Sequence, residues 1–391
     1  MAPETNGNRN SVRSGFGNAL HVEICGGSHE PFVGVTLTGL PAGFEIDKDA
    51  LFRFMELRAP GRSPLATGRR EPDIPVFTSG LTEGTWKTDG TPLTIKIENT
   101  DVRSGDYDQM KTVPRPGHAD FSAYMKYRKN GTNTGPCMAG GGPFSARLTA
   151  PLCAAGGIAM QLLEKNGISI GAHIFSAGDV YDTPFDPAQV TGSKLKKLAQ
   201  SPFPVNDEVS GEKMKALVLE MKEAGDSAGG IIEAAVTGLP AGKGGPMYDG
   251  VESILSPILF GIPAVKGVEF GTGFASAYLK GSENNDPFVI RDGKVSTVTN
   301  HHGGILGGIT TGMPLIVRVA FKPTPSIALE QDSVDLEKMA PAKIKVSGRH
   351  DPCVALRAAP AVNAALALGL SDLLLQQGFD CSCQDKDPKC R

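Results

Sequence analysis

Three short segments hold the residues of this chain best suited to moving protons. His29 lies in Cys25-Gly-Gly-Ser-His-Glu30, just ahead of a strand-like run from Val33 to Leu37. His118 lies in Arg115-Pro-Gly-His-Ala-Asp120, where proline and glycine set a turn that can hold an imidazole beside an arginine. His350 and Asp351 follow Arg349 and precede Pro352, again in a turn. Imidazole changes charge near neutral pH, so a turn-mounted histidine beside a guanidinium is a candidate general acid. Each segment also has a bland reading: His29 as an incidental residue among glycines, His118 as part of a surface turn, and Asp351 as a local partner of Arg349. Of the other histidines, His301 and His302 are adjacent, which predicts side chains pointing different ways and a poor chelate. His21 and His173 lie in apolar runs and read as core.

The glycine-rich segments fail the common nucleotide templates. Gly238-Leu-Pro-Ala-Gly-Lys243-Gly244 is a residue short of a P-loop and lacks the Ser or Thr that would bind magnesium. Gly303-Gly-Ile-Leu-Gly-Gly308 has no dinucleotide register and no acidic residue at the required distance. The 7 cysteines, without a secretion signal, favour reduced thiols. Cys381, Cys383 and Cys390 cluster near the C-terminus but lack a fourth ligand and the Cys-x-x-Cys spacing, so no metal site is expected.

What positions the turns is a duplication. Thr-Gly-Leu-Pro-Ala-Gly occurs at Thr38 to Gly43 and again at Thr237 to Gly242, and the alignment sets Ser28 opposite Ser227. Gly90-Thr-Pro-Leu-Thr-Ile-Lys-Ile97 is echoed by Gly312-Met-Pro-Leu-Ile-Val-Arg-Val319, each a turn followed by an alternating, β-branched strand. Both are followed by a histidine-bearing turn and an alanine-rich helical run. Thr149 to Lys165 and Ala358 to Gln377 are apolar on most faces, which predicts helices buried between sheets. Lys213 to Ala224 reads as a one-faced helix stopped by Gly225, and Gly378 as another helix end. Two pseudo-equivalent halves imply a site between them.

Composition bounds the function class. The 391 residues are 40% hydrophobic and 21% charged, enough for a sizeable core. A net charge of −3 with dispersed Lys and Arg gives no reason to expect nucleic acid or a membrane surface as partner. No apolar run reaches the ~18 residues of a membrane span. Residues 1–15 read as a flexible polar tail without an apolar signal region and residues 379–391 as a second tail, which predicts a cytoplasmic protein. Between them, residues 16–378 read as a single domain with halves of about 16–200 and 201–378.

The motifs together resemble one family, chorismate synthase. The resemblance runs from Phe16 to Gln377 through Gly27-Ser-His29, Leu40-Pro-Ala-Gly43, Arg115-Pro-Gly-His-Ala-Asp120, Ser145-Ala-Arg147 and Gly225-Asp-Ser-Ala-Gly-Gly230. It continues through Pro263-Ala-Val-Lys-Gly-Val-Glu269, Gly303-Gly-Ile-Leu-Gly-Gly308, Lys322-Pro-Thr-Pro-Ser326 and Gly348-Arg-His-Asp-Pro-Cys353. It implies an α+β fold, a β-α-β sandwich with internal pseudo-two-fold duplication, assembled as a homotetramer. It also implies a lyase that converts 5-enolpyruvylshikimate 3-phosphate to chorismate and phosphate by 1,4-anti elimination, with reduced FMN and no net redox change. An external flavin reductase would be a further partner.

The same resemblance assigns roles. His29 would protonate the departing phosphate, His118 would donate to the reduced flavin, and Asp351 would help relay the C6 proton through flavin N5. Flavin-binding positions correspond to Ser145, Pro263, Ala264, Gly307, Lys322, Pro323, Thr324, Pro325, Ser326 and Arg349. Ser28, Arg58 and Arg147 correspond to substrate-binding positions. The substrate brings two carboxylates and a phosphate, and the flavin a phosphate and a ring anion, so cations are obligatory in such a site. Those anions would favour the charged form of a neighbouring imidazole. The chain departs from the family pattern at Gly27 and Glu30, in Pro143, Phe144 and Leu148, and at Asn363. Two alternatives stay open at this point: a divergent flavin-dependent lyase on a related phosphorylated cyclic acid, and a non-catalytic ligand-binding relative of the same fold.

Overall fold

A computed structural model of the chain describes residues 13–61, 65–69, 71–101, 112–129, 132–133, 141–346 and 350–378. The segments expected to be tails fall largely outside these residues, and the three C-terminal cysteines and Arg349 do so entirely.

The first half lays down β1 (Arg13–Phe16), β2 (His21–Gly26), β3 (Phe32–Thr38), α1 (Lys48–Arg58), β4 (Val76–Ser79), β5 (Leu93–Glu98), α2 (Asp120–Tyr127) and α3 (Thr149–Lys165). The second adds β6 (Ser169–Ala177), β7 (Val180–Tyr181), α4 (Gly192–Ala199), α5 (Glu208–Ala224), β8 (Gly230–Thr237), α6 (Val251–Phe260), β9 (Val265–Phe270), β10 (Leu315–Phe321) and α7 (Ala359–Gln376). The two main sheets are antiparallel, five strands each, in the orders β1-β2-β3-β5-β4 and β9-β10-β8-β6-β7. Without β1 and β7, the unit β2-β3-α1-β4-β5-α3 is repeated as β6-β8-α6-β9-β10-α7. The repeat therefore begins at β6, ahead of the division expected near residue 200, because α4 and α5 are inserted between the second unit's first two strands.

The helices α1, α3, α7 and α6 form one layer between the sheets. The α3–α7 contact is close: a Cβ on Gly156 would lie 2.2 Å from the Ala364 Cβ. α7 buries all but its last two residues, from Ala359 to Leu374. Ala146–Lys165 and Ala359–Gln376 are long and apolar enough to cross a membrane by length and composition alone, yet most of each is buried inside the sandwich. Such all-round apolarity is what a helix covered on both sides requires. The buried Asp372 of α7 accepts the backbone N–H groups of Asn18, Ala19 and Leu20 at 2.9, 2.7 and 2.9 Å, tying the β1–β2 turn to the last helix.

The duplicated hexamer is duplicated in its bonding. Gly43 donates its N–H to Thr88 O at 2.7 Å, and Gly242 donates to Thr310 O at 2.8 Å. The Thr88 hydroxyl donates to Pro41 O and the Thr310 hydroxyl to Pro240 O, at 2.5 and 2.7 Å. Gly39 (φ 97°) and Gly238 (φ 83°) are needed in both copies, since a Cβ would strike the carbonyl of Ala19 or of Gly167.

Two histidine expectations are corrected. His21 is exposed, because the alternation of β2 turns Val22 inward and its neighbour outward. His301 and His302 converge instead of diverging: both face Asp286, at 3.1 and 3.4 Å, because they sit in a turn rather than a strand. His173 is buried, as expected of a core residue.

Candidate functional site

A cavity of about 500 Å³ opens between the halves, within the range of small-ligand sites. Its walls come from turns at one end of the sandwich. The first half supplies His29 from the β2–β3 turn, Arg58 from the end of α1, Arg69, His118 ahead of α2, and Pro143 to Arg147 ahead of α3. The second half supplies Phe260 to Lys266 from the α6–β9 connection, Lys322 and Thr324 to Ser326 after β10, and His350, Asp351 and Arg357 ahead of α7.

His118 is held by a carboxylate. Its Nδ1 lies 2.6 Å from Asp120 Oδ1, so that nitrogen carries the proton and donates it. Asp120 is gripped in turn by Arg115, through Nε at 2.7 Å and Nη2 at 2.8 Å. Burial alone would raise the Asp120 carboxyl, but hydrogen bonds from Arg115 and His118, with their charges, hold it well below the usual carboxylate range. Arg115 reaches across to the second half through Nη1 and Ser326 Oγ, at 3.1 Å. Among the described residues no hydrogen bond takes Nε2 of His118, which lines the cavity. Gly141, at φ 101°, keeps space beside it, since a Cβ there would lie 3.2 Å from Nε2.

His29 has one ring nitrogen fixed by the Ser28 hydroxyl, 3.1 Å from Nδ1. The Ser28 N–H donates to Gly142 O at 3.2 Å, so the His29 turn and the Pro143–Arg147 segment hold one another.

Cations crowd the lining: Arg58, Arg69, Arg115, Arg147, Arg357, Lys266 and Lys322, against Asp101 and Asp351. The arginines are braced by carboxylates. Arg58 and Arg147 share Asp73, Arg69 pairs with Glu71 at 2.7 Å, and Arg357 binds both oxygens of Asp351 at 3.0 and 2.9 Å. Among the described residues, Lys266 and Lys322 pair with no carboxylate. Burial, and then the charge of Lys266, lowers the Lys322 pKa, and its ammonium donates to Gly117 O. The Lys322 N–H in turn donates at 3.0 Å to Ala264 O. Ala264 has φ 74°, a left-handed conformation rare for a residue with a Cβ and characteristic of functional turns. Such a cavity suits a ligand carrying several negative charges and a flat apolar body, because Ile262, Pro263, Val265, Val354 and Phe144 line the remaining wall.

A family model described as chorismate synthase matches residues 20–375. The chain belongs to the chorismate synthase family. The chorismate synthase of Lancefieldella parvula is 47% identical over 373 residues, covering 93% of this chain and 96% of the relative. That of Pyrococcus abyssi is 46% identical, covering 92% and 97%. A solved structure titled as a crystal structure of chorismate synthase superposes with a TM-score of 0.70 at 26% identity, covering 92% of this chain and 93% of that one. The expected α+β sandwich and the family's enzymatic nature thus stand together.

Of the residues that resemblance to chorismate synthase singled out, His29, His118, Asp351, Arg58, Arg147, Ser145, Pro263, Ala264, Lys322, Thr324, Pro325 and Ser326 all line this cavity. Ser28 does not. It is fully buried behind His29 and acts as that residue's support. Pro323 packs toward Gly229, away from the lining. Gly307 sits in the turn of the hairpin Ile305–Leu306/Ile309–Thr310, also away from the cavity of this chain. Among the departures from the family pattern, Gly27, Glu30 and Leu148 lie outside the lining, and burial raises the Glu30 carboxyl. Pro143 and Phe144 are in it. Sequence reasoning missed Arg69, Glu71, Asp73 and Arg357, whose only signal was their proximity in the chain to recognised motifs.

Proposed function

We propose that this chain converts 5-enolpyruvylshikimate 3-phosphate to chorismate and phosphate by a 1,4-anti elimination, with reduced FMN as cofactor. The observation that carries the reading is the cavity between the halves, in which the turn-mounted His29 and His118 face a surplus of cations. Ser145, Pro263, Ala264, Lys322 and Thr324 to Ser326 fit the flavin: a stiff, partly apolar loop with a lysine that no carboxylate neutralises among the described residues. When bound, reduced FMN supplies electron density to the reacting ring without net redox change. Arg58 and Arg147 grip carboxylate or phosphate oxygens in pairs. His29, fixed by Ser28, holds the proton that the departing phosphate takes. His118 keeps one proton on Nδ1 for Asp120, which leaves Nε2 to hold or give a second. Asp351, oriented by Arg357 and by the Thr67 N–H at 2.9 Å, helps carry the ring proton away.

Exposed Phe274, Tyr278, Phe288, Ile290 and Val295 support association into a homotetramer. An external reductase supplying reduced flavin and a cytoplasmic location complete the reading. The test is anaerobic turnover with chemically reduced FMN and 5-enolpyruvylshikimate 3-phosphate, following phosphate and chorismate together. Both products are expected in equal amount. Binding of flavin and substrate without product would overturn the assigned substrate, and failure to bind either would favour a ligand-binding relative.

A further inference from the structure

Beneath the cavity, Glu71-Pro72-Asp73 places two buried carboxylates under three arginines. Asp73 is the central one. Its side chain is wholly buried and ion-pairs with Nη1 of Arg58 through one oxygen and Nη1 of Arg147 through the other. The rest of each guanidinium is fastened as well. Arg58 donates from Nε to Thr149 Oγ1 at 3.0 Å and from Nη2 to Ala146 O at 3.1 Å. Arg147 donates from Nε to Asn99 Oδ1 at 2.7 Å and from Nη2 to Glu98 O at 3.0 Å. A guanidinium has five N–H groups, so among the described residues three are committed on each arginine and two remain. Both arginines are only 4% exposed, yet both line the cavity.

Two buried guanidiniums side by side repel. Burial and the neighbouring charge of Arg58 each lower the pKa of Arg147, and Asp73 opposes them. Glu71 adds a second brace, 3.9 Å from Arg147, while it binds Arg69 and the Thr100 N–H and hydroxyl. Asp73 has φ 52°, and Asp and Asn are the side-chain-bearing residues that tolerate this region best. The backbone is bent to aim one carboxylate between two cations. From this geometry we infer that Asp73 is the positioning residue of the anion cradle: it spaces Arg58 and Arg147 and leaves two N–H groups on each for a phosphate or carboxylate ligand.

The inference rests on the proposed reading of Arg58 and Arg147 as substrate-binding residues, and its test has an arm that needs no turnover. Asp73→Asn keeps the tolerated backbone and the shape while removing the charge. In the flavin-free full-length protein, inorganic phosphate should raise the melting temperature of the wild type. The variant should need at least about tenfold more phosphate for the same rise. With 5-enolpyruvylshikimate 3-phosphate, KM should rise by about tenfold or more while kcat changes by less than about threefold. An equal phosphate response in both proteins, or none in either, overturns the inference, as does a loss of kcat with KM unchanged. If Asp73→Asn fails to fold, the double variant Asp73→Asn/Arg147→Gln should fold again, because one buried cation has been removed with the anion, but should not recover the phosphate response. A double variant that stays unfolded overturns the role as a charge spacer. A wild type that responds to phosphate but forms no chorismate would sink the proposed reaction alone, since the phosphate arm still decides the role of Asp73.

Discussion

The two halves bury charge in opposite arrangements. Beside the cavity, two cations share an anion, Arg58–Asp73–Arg147. In the second sheet, two anions share a cation: His173 lies between Asp182, at 2.7 Å, and Glu233, at 2.9 Å. Glu233 then takes Arg318 at 2.9 Å and the Phe185 N–H at 2.7 Å, while Asp182 accepts the N–H groups of Thr183, Asn206 and Asp207. Every charge in the second cluster is answered within the fold, and none of its members lines the cavity. The first is left with a cation in excess and unused donors. Burial and pairing are common to both, so neither marks a ligand site. What marks it is charge and hydrogen-bonding capacity left over at a cavity wall.

Breaking the closed cluster should give the largest effect, on stability and not on chemistry. His173→Leu leaves the buried Asp182 without its cation and Glu233 with Arg318 alone, an uncompensated charge that costs about 3–5 kcal/mol. Chemical denaturation should register that loss while turnover stays at the wild-type level. The pH profile separates charge from packing. Burial alone would lower the His173 pKa, but hydrogen bonds and charge from Asp182 and Glu233 raise it above the ordinary value. A raised folded pKa contributes stability fully present below the unfolded value, roughly 6.5, and lost as pH rises through the folded pKa. The gap between wild type and variant should therefore be widest near pH 6 and narrow at alkaline pH. A gap independent of pH would mean that His173 contributes only packing.

The same contrast explains what could be read in the sequence. The duplication was legible because Gly39, Gly43, Gly238 and Gly242 occupy left-handed positions that side chains rarely adopt, so both copies kept the hexamer. α3 and α7 were legible because a helix covered by sheets must be apolar all round. His29, His118, Arg58 and Arg147 were legible through motifs. Asp73 was not, because Glu-Pro-Asp in a polar stretch reads as a surface turn and its partners lie 15 and 74 residues away. The pairing of Asp351 with Arg357 was hidden for a related reason: the two residues are six apart, and no local motif joins them.

At the open site, orientation can be weakened without emptying it. Asp120→Asn removes the charge that fixes the His118 proton on Nδ1, and the new amide can donate to that nitrogen instead, which favours the other tautomer. Losing a hydrogen bond to a charged group costs about 1.5–3 kcal/mol, or roughly 10- to 100-fold in rate. Single-turnover measurements should place that loss in the chemical step, with substrate affinity close to wild type. A change confined to KM would make Asp120 a support for the Ser326 loop through Arg115, and not a partner of His118.

The pseudo-equivalent serines give the smallest and sharpest comparison. Ser28 and Ser227 occupy matching positions in the duplication, but evolution of the two halves has given their hydroxyls different work. Ser28 fixes His29, whereas Ser227 donates to Thr324 O at 2.7 Å and pins the loop that carries Lys322. Ser227→Ala removes one neutral hydrogen bond, worth about 0.5–1.5 kcal/mol, from a loop already stiffened by Pro323 and Pro325. Flavin affinity should weaken by about two- to tenfold, with the rate at saturating flavin unchanged. Ser28→Ala should do the reverse, lowering the rate and sparing flavin affinity. If both variants fall in the same parameter, the two halves do not divide proton transfer and cofactor binding between them. If they separate, the cavity is asymmetric by function, although the fold that built it is a repeat.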